Sequence, residues 1–382
     1  MSEEENKIQE IHVGKNVYYV DTTEGTPPEE EMATGVDIAS ISLFKKRLKK
    51  FKSLKRGYYS FLLIVGAYIL SFFLMFLVNS KALVVEYNGS LHFPVFKYYS
   101  KEYFGVKGYG EANYRELEKI FAEQKSGNWV ILPPYPYDPI ESLLEEMKGT
   151  PPHPPSWQHW MGTDDRGRDV FARLSYGFRI SLSFSLICVM FEYVIGIAVG
   201  ACLGFYGGKI DLFGQRSIEL WSAFGGIYML IILTSIFRPN FLLLVTFLSA
   251  WSWMGITYYI RSEFYREKAK DYVSAALAMG ASDRTIIFKH ILPNALTPVI
   301  SFGPFAIVGG IGTLVSLDYL GFGLPPPTPS WGQMVSVGLQ NIDKWWLVLY
   351  PLSTEFVTLL LVVFIGEAVR NAFDPREYSR LR

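Results

Sequence analysis

Six stretches of this 382-residue chain are apolar for about twenty residues each, and they constrain the fold more than any other feature. A bilayer's hydrocarbon core is about 30 Å thick, so a helix needs about 20 apolar residues to cross it. Gly57 to Asn79, Phe241 to Ile260 and Ala295 to Leu317 carry no charged side chain. Ile180 to Phe205 carries only Glu192, Ser217 to Phe237 only Glu219, and Trp345 to Ile365 only Glu355. Six crossings predict an all-α integral membrane protein. A composition of 50% hydrophobic and 16% aromatic residues, with a mean hydropathy of +0.18, agrees. The first run starts at residue 57 and lacks a small-residue cleavage pattern, so it is no signal peptide.

Charge orients the spans. Leu43 to Arg56 holds eight Lys and Arg residues and no acid, and juxtamembrane cations stay cytoplasmic. Six crossings return the C-terminus to the same side, where Arg370, Arg376, Arg380 and Arg382 agree. The loop between the fourth and fifth crossings is equally basic, with Arg261, Arg266, Lys268, Lys270, Arg284 and Lys289. Residues 1–40 are polar and acidic and are expected to form a disordered cytoplasmic tail. Residues 41–56 form a basic juxtamembrane segment suited to anionic lipid, and 57–79 the first transmembrane helix. Residues 80–175 form an extracytoplasmic insertion, 176–371 a core of five more transmembrane helices, and 372–382 a cytoplasmic tail. Net charge is zero, and nothing global points to nucleic acid.

The insertion predicts a small α+β unit. Val84–Tyr87, Asn88-Gly89 and Ser90–Phe93 spell a hairpin with a type I′ turn. Arg115 to Glu123 has helical composition, and Pro133 to Pro155 is a proline-rich connector. Gly162, Thr163, Asp164, Gly167, Arg168 and Asp169 close the insertion. The aspartates fail calcium-loop spacing, because Arg166 and Gly167 fall where oxygen ligands are needed. A turn tied by Asp to backbone and Arg is expected instead. No metal site is expected, since His153 and His159 lack ligand spacing. Cys188 and Cys202 lie about 21 Å apart along one helix, too far for a disulfide.

Asp271 to Asn294 is a polar segment between two spans. It reads as two short helices broken at Gly280, with small residues at Ala275, Ala276, Ala278, Gly280 and Ala281. Ser282 is suited to cap the second helix, and Pro293 to limit it. Small residues let another surface approach the backbone, so this loop is the candidate partner contact, with Asp283, Arg284 and Lys270 as rim charges.

Several segments together resemble the permease subunits of oligopeptide and dipeptide ABC importers. Ala275-Ala276 … Gly280 … Leu292-Pro293 is similar to their cytoplasmic "EAA" loop, although Ser274 stands where glutamate is usual. Gly162-Thr163-Asp164 … Gly167-Arg168-Asp169 resembles the motif leading into the second helix. Leu320 to Gly332 resembles the loop before the last helix, and Tyr206-Gly207-Gly208 and Asp374-Pro375 fit as well. The insertion makes the chain look most like the microcin C and peptide importer permeases. The resemblance implies a type I ABC importer permease fold in a bacterial inner membrane. It implies four partners: a homologous permease, a cytoplasmic ATPase that binds ATP and magnesium, an extracytoplasmic binding protein and a peptide-type cargo. The chain itself has no G-x-x-x-x-G-K-[ST] string, no cofactor and no catalytic residue; it is not expected to be an enzyme.

A proton-coupled carrier using Glu192 and Glu355 is the rival reading, because acids within spans often serve ion pathways. A membrane hydrolase would need a nucleophile–base pair, for which only His290 near Ser301 or Asp283 offers itself. The insertion's Tyr98, Tyr99, Tyr103 and Phe104 suit either a small-domain core or a dock for the binding protein. Gly196, Gly200 and Gly204 suit close helix packing. Trp331, Trp345 and Trp346 suit an interfacial belt.

Overall fold

The computed structural model describes residues 8–13, 16–21, 43–124, 127–147 and 149–373. The chain divides into two compact units, Met1–Ser53 and Leu54–Arg382. In the first, β1 (Ile8–Val13) pairs antiparallel with β2 (Asn16–Asp21), from Ile8 opposite Asp21 to Val13 opposite Asn16. This hairpin lies within residues 1–40, the segment expected to form a disordered tail. Its strands are rich in Ile, Val and Tyr, which suit extended backbone; the rest of that tail lies outside the described residues. The basic run forms helix α1 (Leu43–Ser53).

In the second unit each of the six apolar runs is helical, but only three are single uninterrupted helices long and apolar enough to cross a membrane. These are α4 (Val170–Tyr206), α7 (Phe241–Lys268) and α12 (Trp345–Phe373). The first run is α2 (Lys55–Ser71), followed after a break at Phe72-Phe73 by one turn, Leu74–Leu77. The third is α5 (Gly208–Ala223) and α6 (Gly226–Ile236), bent by 61° at Phe224-Gly225. The fifth is α9 (Leu292–Ile300) and α10 (Gly303–Tyr319). Pro304 opens α10, a position where its missing N–H costs nothing. The glycines at 309, 310 and 312 lie within unbroken helix.

Close approach between helices rests on glycine. A Cβ on Gly196 would lie 2.0 Å from Ile256 Cγ2, on Gly200 2.7 Å from the Thr257 carbonyl, and on Gly204 2.6 Å from Phe264 Cβ. That ladder locks α4 to α7. A Cβ on Gly57 would lie 2.1 Å from Ala368 Cβ, which ties α2 to α12 in the same way. Trp331 begins α11 (Trp331–Gln340). Trp331 and Trp346 are 1% and 6% exposed, so they belong to the core; only Trp345, at 53%, is free to sit in an interface. The Trp331 indole N–H donates to the Leu174 carbonyl at 3.1 Å, and Gly177 makes room for the ring.

The insertion has its own core of Val85, Phe104, Tyr114, Leu117 and Phe121. Strand β3 (Val84–Tyr87) pairs with β4 (Ser90–His92) across Asn88 (φ 51°) and Gly89 (φ 78°), the two positive φ values a type I′ turn requires. A third strand, β5 (Trp129–Ile131), adds to the other edge of β3. Helix α3 (Tyr114–Gln124) covers them. Its Arg115 is a buried hub that sequence reasoning missed. It pairs with Glu141 and Glu146, both at 2.7 Å, and its guanidinium lies 5.0 Å from the centre of the Tyr137 ring.

Candidate functional site

Helix α8 (Asp271–Ala278) ends at Gly280, whose φ of +78° favours glycine. The Ala281 N–H donates to the Ala276 carbonyl at 3.1 Å and the Gly280 N–H to Leu277 at 3.0 Å, the paired bonds of a Schellman cap. The expected break therefore falls where the sequence put it. Ser282 caps the next helical segment, its hydroxyl accepting from the Thr285 N–H at 3.4 Å. Pro293 does not limit that segment. Ile286–Ile291 adopts a π-helix that runs straight into α9, and the widened turn accommodates a residue with no N–H to donate.

The strip of small residues divides in two. Ala276 is 2% exposed and, with Val273, Ile286 and Ile291, faces the bundle. The last three pack against Phe205, Ile260 and Phe264. Ala275, Ala278, Gly280, Asp283 and Arg284 are exposed, alongside Leu277 and Met279, which are 51% and 81% exposed; Ala281 is intermediate. Pro293 is exposed. Lys270 does not stand free at the rim, because its ammonium pairs with Glu267 at 2.7 Å. Glu267 is itself buried and also accepts from the Tyr272 hydroxyl at 2.8 Å. Asn294 then donates to the Tyr272 oxygen at 3.3 Å and to the His290 carbonyl at 3.0 Å. This chain of bonds staples the start of the loop to its end. Glu267 was not singled out in the sequence, where it looks like one charge in a mixed run.

At the other end of the bundle, Gly162–Asp169 forms the expected Asp-tied turn. The Asp164 carboxylate accepts from the Arg166 and Arg168 backbone N–H groups at 3.0 and 2.9 Å and from Arg168 Nε at 2.8 Å. Asp169 caps α4 by accepting from the Ala172 N–H at 2.8 Å. Its other oxygen accepts from the Tyr135 hydroxyl at 2.7 Å and lies 2.9 Å from His159 Nδ1. Thr163 bridges back to Asp169. Gly162 and Gly167 have φ of +76° and +71°. A Cβ on Gly162 would lie 2.6 Å from the His153 carbonyl.

This turn meets the Leu320–Gly332 loop across a cavity of about 460 Å³, lined by Asp164, Arg168, Arg173, Asp318 and Gln333 among others. Asp318 organises its own side, accepting from the Leu324 N–H and the Ser330 hydroxyl, both at 2.6 Å. Two segments some 150 residues apart in sequence thus build one wall. Glu192, on α4, lines a separate cavity within the bundle, and Glu355, on α12, is not among that cavity's lining residues. The two acids of the carrier reading form no common site there.

A helical bundle with one exposed loop of small residues, an opposite end closed by an Asp-tied turn, and interior cavities defines a membrane-spanning transport subunit. The chain belongs to the family of binding-protein-dependent transport system inner membrane components, matched over residues 194–377. It is 40% identical over 331 residues to the inner membrane ABC transporter permease protein YejE of Escherichia coli (strain K12), covering 87% of this chain and 96% of that one. It is 38% identical over 359 residues to the peptidoglycan transport system permease protein YejE of Agrobacterium fabrum, covering 88% and 94%. The oligopeptide transport system permease protein OppC of Haemophilus influenzae is 34% identical over 220 residues, covering 57% and 71%. The chain is an ABC transport permease of the inner membrane with the type I permease fold, as the resemblance implied. The carrier reading gains no support from these relatives.

Proposed function

We propose that this chain is one permease half of an ATP-driven importer for peptides or peptide-like compounds. The relatives' names, which include oligopeptide and peptidoglycan transport, support the cargo class. A homologous permease completes the pathway, a binding protein delivers cargo at the insertion end, and a cytoplasmic ATPase holding ATP and magnesium drives the cycle. The observation that carries the coupling role is the division of the 271–294 loop, with one face locked into the bundle and the other exposing Ala275, Ala278, Gly280 and Met279. The ATPase groove takes that exposed face. The rim charges are Asp283 and Arg284, which make no ion pair among the described residues. Both termini and this loop are cytoplasmic, and the insertion is extracytoplasmic.

Uptake tests the reading. The full assembly in proteoliposomes should import radiolabelled trialanine only with ATP, and Gly280→Pro should keep ATP hydrolysis while losing import. Import driven by a proton gradient alone would refute the proposal. For topology, an impermeant thiol reagent on intact spheroplasts should label Trp157→Cys, at a site 98% exposed in the insertion, and spare Met279→Cys; the reverse pattern would overturn the orientation.

A further inference from the structure

Glu192 is a partly buried acid that nothing above uses. Glu192 lies 12 residues beyond Ile180 in α4, roughly 18 Å along the helix and so near the middle of a bilayer core of about 30 Å. It makes no hydrogen bond or ion pair among the described residues, although its side chain is partly buried. A carboxylate at that depth is tolerated where it faces a polar cavity or an opposite charge.

The cavity it lines holds about 260 Å³ and lies between α4, α7 and α10, with Phe184, Leu248, Ser252, Gly309 and Thr313 among its walls. A second cavity, of about 490 Å³, shares Leu248, Gly309 and Thr313, so the two make one trough along α10. The α10 face in this trough is Gly309, Gly312, Thr313 and Ser316, at helical spacing. Gly310, one position round, is filled: a Cβ there would lie 2.4 Å from the Ser185 hydroxyl. A Cβ on Gly309 or Gly312 would meet nothing within 4 Å. Those two glycines do not serve packing within this chain; they leave the trough wide. The hydroxyls of Ser252 and Thr313 donate to the carbonyls of Leu248 and Gly309 within their own helices. That leaves oxygen lone pairs toward the trough, and its only charge is the Glu192 carboxylate.

We propose that this trough is a binding site for a cationic group of the transported molecule, with the Glu192 carboxylate as counter-charge and the Ser252 and Thr313 oxygens as further acceptors. The identity of that cation rests on the peptide reading, in which it is the ammonium of a peptide's amino terminus or basic side chain. A carboxylate among apolar helices attracts an opposite charge more strongly than one in water does, so the site favours cationic cargo over neutral analogues of the same shape.

The test uses the complete transporter in proteoliposomes, with Cys188 and Cys202 replaced by serine and Thr313→Cys as reporter. Its rates of reaction with a cationic aminoethyl and an anionic sulfonatoethyl methanethiosulfonate are compared. With Glu192 present the cation should react faster, and E192Q should lower the cation-to-anion ratio by about fivefold or more. Glu192→Asp should retain most of it. Trialanine should slow labelling and N-acetyl-trialanine should not, and E192Q should abolish the difference. A ratio unchanged by E192Q, or a thiol that neither reagent reaches, overturns the site. A ratio that falls on E192Q without protection by trialanine upholds the cation site and counts against peptide as its cargo.

Discussion

Asp169 does three jobs with one carboxylate: it caps α4, holds Tyr135, and fixes the His159 ring. It is fully buried, while its neighbour in sequence Asp165 reaches only Arg168, at 4.0 Å, with a side chain 38% exposed. Losing a cap costs about 1 kcal/mol, and each stranded buried partner adds about 1–3 kcal/mol. Asp169→Ala should therefore lower the stability of the detergent-solubilised protein by about 3–7 kcal/mol, read as a fall in its thermal unfolding temperature. Asp165→Ala should stay within about 0.5 kcal/mol. The sequence foretold a turn tied by aspartate but could not rank the three acids, because Tyr135 arrives from a connector 34 residues upstream. Ala276 teaches the same lesson. It looks identical to Ala275 and Ala278 in sequence, and only the packing of the bundle shows that it points inward.

Among elements, the α4–α7 ladder is the most sensitive joint. A methyl group on Gly200 would press on two backbone and side-chain neighbours within 3 Å, so Gly200→Leu should cost at least about 1–3 kcal/mol and reduce the yield of folded protein in size-exclusion melts. Gly312→Ala, with open space around it, should leave the melt unchanged. In the insertion, burial alone would raise the Glu146 carboxyl, but hydrogen bonds from Arg115 and Asn113 hold it below the ordinary range. A depressed carboxylate stabilises the fold above its unfolded pKa of about 4.5, and that contribution is lost as pH falls through its folded value. Asp138, raised by burial, acts with the opposite sign. Protection factors of the α3 amides in the whole protein, referenced to intrinsic exchange rates at each pH, should thus fall on acidification below about pH 4.5, and Glu146→Gln should flatten the response. Apolar runs announce where helices lie but not where they break. Phe72-Phe73 is as hydrophobic as its surroundings, whereas Gly225-Gly226 and Pro304 mark the other two breaks in the sequence.

For the whole molecule, the division of the 271–294 loop sets two variants apart. Ala276→Trp overfills the core beneath α8 and should lower the yield of assembled transporter. Ala275→Trp, on the exposed side, should assemble normally while import falls about tenfold or more, a barrier of about 1.4 kcal/mol that coupled uptake and ATPase assays would read together. The permease architecture was legible from the order of spans and motifs. The N-terminal hairpin was not, because two short strands in a polar, acidic stretch give a weak pattern.

Helix α4 is 37 residues long, roughly 55 Å, far more than a bilayer requires. It starts at the Asp169 cap, and its last turn offers the Phe205 carbonyl to the Lys268 ammonium at the foot of the coupling loop. A single stiff rod therefore joins the two ends of the bundle, and in the proposed importer a tilt imposed at the insertion end becomes leverage at the 271–294 loop, with no hinge between to absorb it.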